Sequence, residues 1–149
     1  MRYARKDLEG AIHRSSDFAV SVLYFDMDHF GKINKTHGQE AGDVVMKEYL
    51  ESVHAGLGNF GTGYRGVGDE VMGLIVGQGH QKAIEIAEAI RKRIQALKCE
   101  YKGQILSGVS VSIGVATSPP AQRTMELETL VESRKRLAKE CGRNQVIHS

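Results

Sequence analysis

The chain has only two cysteines, Cys99 and Cys141, among its 149 residues. They stand far apart, with no Cys-x-x-Cys pair and no Cys/His ligand spacing, which argues against a disulfide framework and against a zinc site. No apolar run approaches the roughly eighteen residues that a membrane-spanning helix needs, and the basic N-terminus is not followed by the apolar segment of a signal peptide. The expectation is a cytoplasmic protein with reduced thiols. Excess charge is also small: 20 Lys and Arg against 18 Asp and Glu leave a net charge of +2. The basic residues are scattered, apart from short Arg-Lys-Arg runs at 91–93 and 134–136. That is too mild to select duplex nucleic acid, though it does not oppose a small anion. Ribonucleoprotein-type aromatic motifs are missing too, which sets aside an RNA-binding sheet.

What the chain does have is enough apolar material for a core. With 41% hydrophobic and 26% charged residues, it is expected to form one compact domain over 1–149, with any regulator or effector on a separate chain. The period of the apolar pattern places the elements. A short mixed helix is expected over 4–15. "FAVSVLYFD" (18–26) is nearly continuous apolar, as in a strand covered on both faces. "EAGDVVMKEYLESVHAGL" (40–57) and "HQKAIEIAEAIRKRIQAL" (80–97) carry apolar residues at helical spacing. Nine glycines between Gly56 and Gly79 suggest two strands, about 59–66 and 70–76, joined by a tight turn at Val67 to Asp69. "GVSVSIGVA" (108–116) alternates as a strand does, and Pro119 and Pro120 end that block. A last helix, about 125–140, precedes a short strand in 144–149. This order contains the split βαββαβ arrangement of a ferredoxin-like α+β domain: a mainly antiparallel sheet flanked by helices, with an extra C-terminal helix and strand.

In that topology the first strand lies beside the hairpin, so the acids at their ends can be placed. Asp26 ends the first strand with Asp28 two residues on, while Asp69 and Glu70 occupy the hairpin turn. Acids favour turns in any protein. Four acids at two adjacent strand ends go further, because carboxylates meeting there repel unless a cation lies between them. Hard oxygen ligands suit Mg²⁺ or Mn²⁺, in the manner of two-metal phosphoryl transfer.

Four motifs, in order over residues 20–147, then carry a resemblance. "FDMDHFGKINKTHGQEAGD" (25–43) is similar to the opening of the GGDEF domain of diguanylate cyclases, in which Phe-Asp-x-Asp-x-Phe-Lys-x-x-Asn precedes Gly-His-x-x-Gly-Asp. "RGVGDEV" (65–71) falls at that family's Gly-Gly-Asp-Glu-Phe hairpin, "SIGVA" (112–116) at one of its strands, and "AKECGRN" (138–144) at its Ala-Lys-x-x-Gly-Arg-Asn. The resemblance implies a palm-type nucleotidyl cyclase working as a homodimer. Each subunit would hold one NTP, and each 3′-hydroxyl would attack the other's α-phosphate. By position it implies metal ligation by Asp26, Asp69 and the main-chain carbonyl of Met27, with Glu70 assisting at the metal or the attacking hydroxyl. It implies that Asn34 and Asp43 read the guanine edge and that Lys139 and Arg143 grip phosphates. Read singly, Asn34 is a helix or turn residue, Asp43 an acid favoured by a helix dipole, and Lys139 and Arg143 the solvated end of an amphipathic helix. His29 and His37 read as surface or packing residues.

The departures from the pattern carry expectations of their own. Val67 replaces the first glycine of the hairpin motif, where a β-branched residue resists positive φ and would crowd a base or ribose. Val71 replaces the final Phe. Gly31 stands where a phosphate-contacting Lys is usual, and Lys32 beside it is expected to serve in its place. Gly58 and Gly61 replace an inhibitory Arg-x-x-Asp. "LEGAIHR" (8–14) is only faintly similar to the family's opening motif, and the gap from it to Asp26 is short. The carboxylates are spared, which favours catalysis. The implied reaction is GTP to c-di-GMP, or ATP to c-di-AMP if the chain instead resembles the minimal CRISPR polymerases of antiviral defence. The other class is a catalytically degenerate domain that binds nucleotide as a receptor.

Overall fold

The computed structural model describes residues 2–14, 18–119 and 124–149. Ser15, at the end of the expected first helix, and Pro120 lie outside the described residues. The chain runs α1 (Arg2–Arg14), β1 (Val20–Met27), α2 (Phe30–His37), α3 (Gln39–Leu57), a 3₁₀ turn (Gly58–Phe60), β2 (Gly61–Arg65), β3 (Val71–Val76), α4 (His80–Gln95), β4 (Cys99–Tyr101), β5 (Gln104–Leu106), β6 (Val111–Ser118), α5 (Thr124–Glu140) and β7 (Val146–Ile147). The main sheet has the order β2-β3-β1-β6-β7. Its first four strands pair antiparallel, and β7 joins β6 in parallel. The expected α+β arrangement is present, with β1 at the centre between β3 and β6.

Strand parity divides the sheet between two cores. Leu23, Phe25, Met27, Val71, Ile75, Val111, Ile113 and Val115 belong to the cluster under α3 and α4. Val20, Val22, Met72, Leu74 and Ala116 belong to the cluster under α1 and α5. By the same alternation Asp26 and Glu70 fall on the α5 side of their strands. Helix α3 presents Ala41, Val45, Tyr49, Val53 and Leu57, one every four residues, as its buried stripe. Helix α5 does the same with Leu127, Val131, Lys135 and Ala138, so a lysine lies within an otherwise apolar stripe. Gly114 lets this helix approach closely: a Cβ there would stand 2.3 Å from the Val131 carbonyl oxygen and 2.5 Å from the Lys135 amide nitrogen.

Two elements went unread in the sequence, and one expectation is corrected. Helix α2 was not read from the sequence, since it buries no residue fully and only Phe30 and Ile33 pack against the core. The small β4–β5 sheet was not read either. It turns on Lys102 and Gly103, both at positive φ (48° and 76°), as a two-residue hairpin loop requires. In the β2–β3 hairpin the left-handed residue is Gly68, with φ 64°, and Val67 is outside that region. The expected backbone conflict at Val67 therefore does not arise, and its side chain is 85% exposed at the tip.

Candidate functional site

The end of β1, the β2–β3 turn, the last turns of α5 and the loop after it meet at one edge of the sheet. The hairpin is closed by its own main chain: Gly66 N donates to the Glu70 carbonyl oxygen at 2.8 Å, and Glu70 N to that of Val67 at 3.2 Å. Arg65 Nε donates to the Gly68 carbonyl oxygen at 3.2 Å. From the core side the Tyr49 hydroxyl donates to the Asp69 carbonyl oxygen. This bond holds the turn against α3.

So positioned, Asp69 meets Asp26. Burial, followed by a hydrogen bond and the charge of Asp26, pushes the Asp69 carboxyl up to about 6, against the pull of the main-chain amides of Asp69 and Met27. The proton that Asp69 keeps to higher pH than a free carboxyl offsets the repulsion between two neighbouring acids. Asp26 also faces Lys139, whose Nζ lies 3.7 Å from its Oδ2. The same ammonium donates to the Met27 carbonyl oxygen and to Asp28 Oδ1, both at 2.9 Å. A cation thus already touches Met27 and Asp26, two of the three groups that the sequence assigned to a metal.

Asp28 has a different character. It is buried and accepts from Ser110 Oγ and Ser112 Oγ at 2.7 Å, and from Lys139 Nζ and Asn144 N at 2.9 Å. Burial works to raise its carboxyl, but these four bonds hold it below its usual value. Asp28 ties β1, β6, α5 and the C-terminal loop together. Sequence reasoning placed it among the acids without assigning this task. The available signal was Ser110 and Ser112, alternate polar residues leading into a buried strand.

The other assigned residues fall into two groups around this edge. Glu70, about half exposed, faces Lys135, whose Nζ is 3.6 Å away. Arg143 is exposed just beyond α5, in the left-handed region at φ 65°. On the other side, Asn34 lies on α2 with its Oδ1 buried and without a hydrogen-bond partner. It packs on Gly42 so closely that a Cβ there would stand 1.6 Å from that oxygen, which brings Asn34 beside Asp43. Asp43 is exposed and lines a cavity of about 370 Å³ with Met46, Leu50 and Arg65. Lys32 lines a separate cavity of about 290 Å³ with Asp28, Thr36 and Ser107. His29 and His37 are exposed, as expected.

The donor chemistry fits a hard cation. Among the described residues no three His, Cys, Asp or Glu side chains form a ready-made metal cluster. The available set is two carboxyls and a main-chain carbonyl, all oxygen, the ligand type that hard divalent cations take together with water and phosphate oxygens. The Lys139 ammonium, on the Met27 carbonyl oxygen and facing Asp26, stands where such an ion would compete.

A mainly antiparallel α+β sheet with paired acids at one edge is the frame of a palm-type domain. The model of the family "Diguanylate cyclase, GGDEF domain" matches residues 1–145. The chain belongs to this family. It is 29% identical over 147 residues to diguanylate cyclase DgcS of Shewanella oneidensis, covering 95% of this chain and 47% of that protein. It is 33% identical over 98 residues to diguanylate cyclase A of Treponema denticola, covering 66% of this chain and 26% of that protein. The chain therefore spans about half or less of the curated relatives it matches. Among solved structures, the GGDEF domain of YfiN (TpbB) from Pseudomonas aeruginosa superposes with TM-score 0.93 at 25% identity, covering 99% of this chain and 87% of that one. The GGDEF domain of DgcB from Caulobacter crescentus, solved with c-di-GMP, gives 0.92 at 19% identity, covering 99% and 88%. These comparisons lend no support to the CRISPR polymerase resemblance. Among the described residues no helix is long and apolar enough to cross a membrane.

Proposed function

We propose that residues 1–149 form one catalytic domain that condenses two GTP molecules into c-di-GMP with release of two pyrophosphates, using Mg²⁺ or Mn²⁺ and a second copy of the chain. The observation that carries this reading is the meeting of Asp69 with Asp26, where burial and mutual repulsion push one carboxyl up to about 6. Such strain at a sheet edge is expected of a site built for charge that arrives with a ligand. Family membership supplies the reaction class, and the two curated relatives above are named as diguanylate cyclases.

Asp26, Asp69 and the Met27 carbonyl would hold the metal, which when bound would lower the pKa of a 3′-hydroxyl and neutralise phosphate charge. Asp69 would serve there as the ionised carboxylate, which a bound cation would favour over the protonated form. Glu70, directed to the same side of the sheet as Asp26, would act at the metal or accept the hydroxyl proton. Asn34 and Asp43 would read the guanine edge, Asp43 accepting from its N1 and N2 protons. Lys139 would exchange its contacts with Asp26 and Met27 for phosphate oxygens, with Arg143 and Lys32 at the periphery of the same anion. Because each site supplies one nucleotide, the bond-forming arrangement needs two chains face to face.

The test is to incubate the purified chain with each NTP and Mg²⁺ or Mn²⁺ and identify products by mass spectrometry, with Asp26→Ala as control. c-di-GMP from GTP, absent from the control, is the expected result. Bound GTP without product at high protein concentration would replace this reading with that of a nucleotide receptor.

A further inference from the structure

Lys135 is the one buried basic side chain among the described residues. The close approach at Gly114 presses its main chain onto β6, and from there the side chain crosses the sheet towards β3. Its Nζ lies 5.8 Å from the centre of the Tyr24 ring, 3.0 Å from Glu132 Oε2 and 3.6 Å from Glu70 Oε1. Burial works to lower its pKa, yet Glu132, Glu70 and Asp26 raise it above the ordinary lysine value. A fixed cation with an apolar stem therefore reaches a carboxylate of the proposed metal site without belonging to the metal or phosphate set.

We propose that Lys135 is a positioning residue that competes with divalent metal for Glu70, holding this carboxylate on the α5 side of the sheet and lowering the site's metal affinity. The inference rests on the reading of this edge as a metal centre. Glu132 anchors the ammonium, so Glu70 can leave for a metal without stranding a charge. The ion pair and the metal are alternative partners of one carboxylate, and each weakens the other.

Mn²⁺ alone, titrated against the full chain and followed by electron paramagnetic resonance of the free ion, reads this competition without turnover. Lys135→Met removes the ammonium and is expected to tighten Mn²⁺ binding about three- to tenfold, as loss of a nearby like charge does at a partly exposed site. Lys135→Arg retains the charge and is expected to stay within about twofold of the parent chain. In a Glu70→Gln background the Lys135→Met effect is expected to shrink by at least half. Glu70 and Glu132 are about half exposed and can be hydrated once the lysine is gone, so the variant should fold. Lys135→Gln provides a second variant with the same expected direction. An unchanged or weakened Mn²⁺ affinity in both neutral variants overturns the proposal, as does a shift of equal size with and without Glu70. A parent chain that binds no Mn²⁺ overturns the metal reading itself. A parent that binds Mn²⁺ and makes c-di-GMP, with both neutral variants unresponsive, overturns only the role of Lys135.

Discussion

The Tyr49 hydroxyl, fully buried on α3, donates over 2.9 Å to the main-chain carbonyl oxygen of Asp69. The core thereby fixes the hairpin turn by a main-chain atom and leaves the Asp69 carboxyl to its own partners. Burial and the nearby acids push the tyrosine well above its usual pKa, so it remains a neutral donor.

Tyr49→Phe keeps the ring and leaves the Asp69 carbonyl without its donor. The expected loss is about 1–2 kcal/mol of unfolding free energy, the cost of one hydrogen bond with a partly desolvated acceptor. Under the proposed function turnover should fall more than GTP affinity, because the turn carries the carboxyls and not the base contacts. Urea unfolding and steady-state kinetics on the same preparation check both halves; a variant with parental stability would remove this bond from the account.

The raised carboxyl of Asp69 has a signed consequence for stability. Its folded value of about 6 exceeds the ordinary 3.8, so between these values the folded chain keeps a proton that the unfolded chain has released. The associated stabilisation is full below the lower value and is lost as pH rises through the higher one. Asp69→Asn carries no such titration. The melting temperature of the variant minus that of the parent should therefore be smallest near about pH 4 and grow to about pH 7. Mn²⁺ should narrow the gap at neutral pH by stabilising only the parent. A gap that stays flat from about pH 4 to 7 would contradict the raised Asp69 carboxyl.

How far the sequence could be read depended on how many buried residues each element contributes. Strand β1, helices α3 and α4 and strand β6 were legible because long apolar patterns run through them. Helix α2 and the β4–β5 hairpin bury too little to show a period. The adjacency of Asp26 to the hairpin followed from topology, whereas the register, with Phe25 opposite Val71, came only with the structure. The hub at Asp28 did not follow, since Ser110 and Ser112 lie 82 and 84 residues away in the chain. Lys135 was read only as part of the short basic run at 134–136, although its spacing from Leu127 and Val131 places it on the buried stripe. For Lys139 the resemblance implied a phosphate grip; its contacts with Asp26, Asp28 and the Met27 carbonyl oxygen are decided by the fold around it.

Gly42→Ala tests the placement of Asn34. The added methyl would meet the flexible end of the Asn34 side chain and not the main chain, so the fold should tolerate it while Asn34 is displaced. If Asn34 contacts guanine, the Michaelis constant for GTP should rise about tenfold, the equivalent of one lost hydrogen bond, with little change in kcat. An unchanged Michaelis constant would take Asn34 out of base recognition.

Val67→Gly separates the two objections raised by the valine in the hairpin motif. Since the left-handed residue is Gly68 and the Val67 side chain is 85% exposed, no backbone strain is there to relieve. Stability should change little or fall by about 0.5–1 kcal/mol, the usual entropic cost of glycine in an ordered segment. What remains is steric: the valine stands at the tip, where a nucleotide held between facing chains would lie. Removing it should lower the Michaelis constant for GTP about two- to fivefold, which corresponds to less than about 1 kcal/mol of relieved contact. A variant that melts several degrees higher would restore the strain explanation. Parental kinetics at parental stability would show that the valine is neutral and that the motif tolerates this substitution.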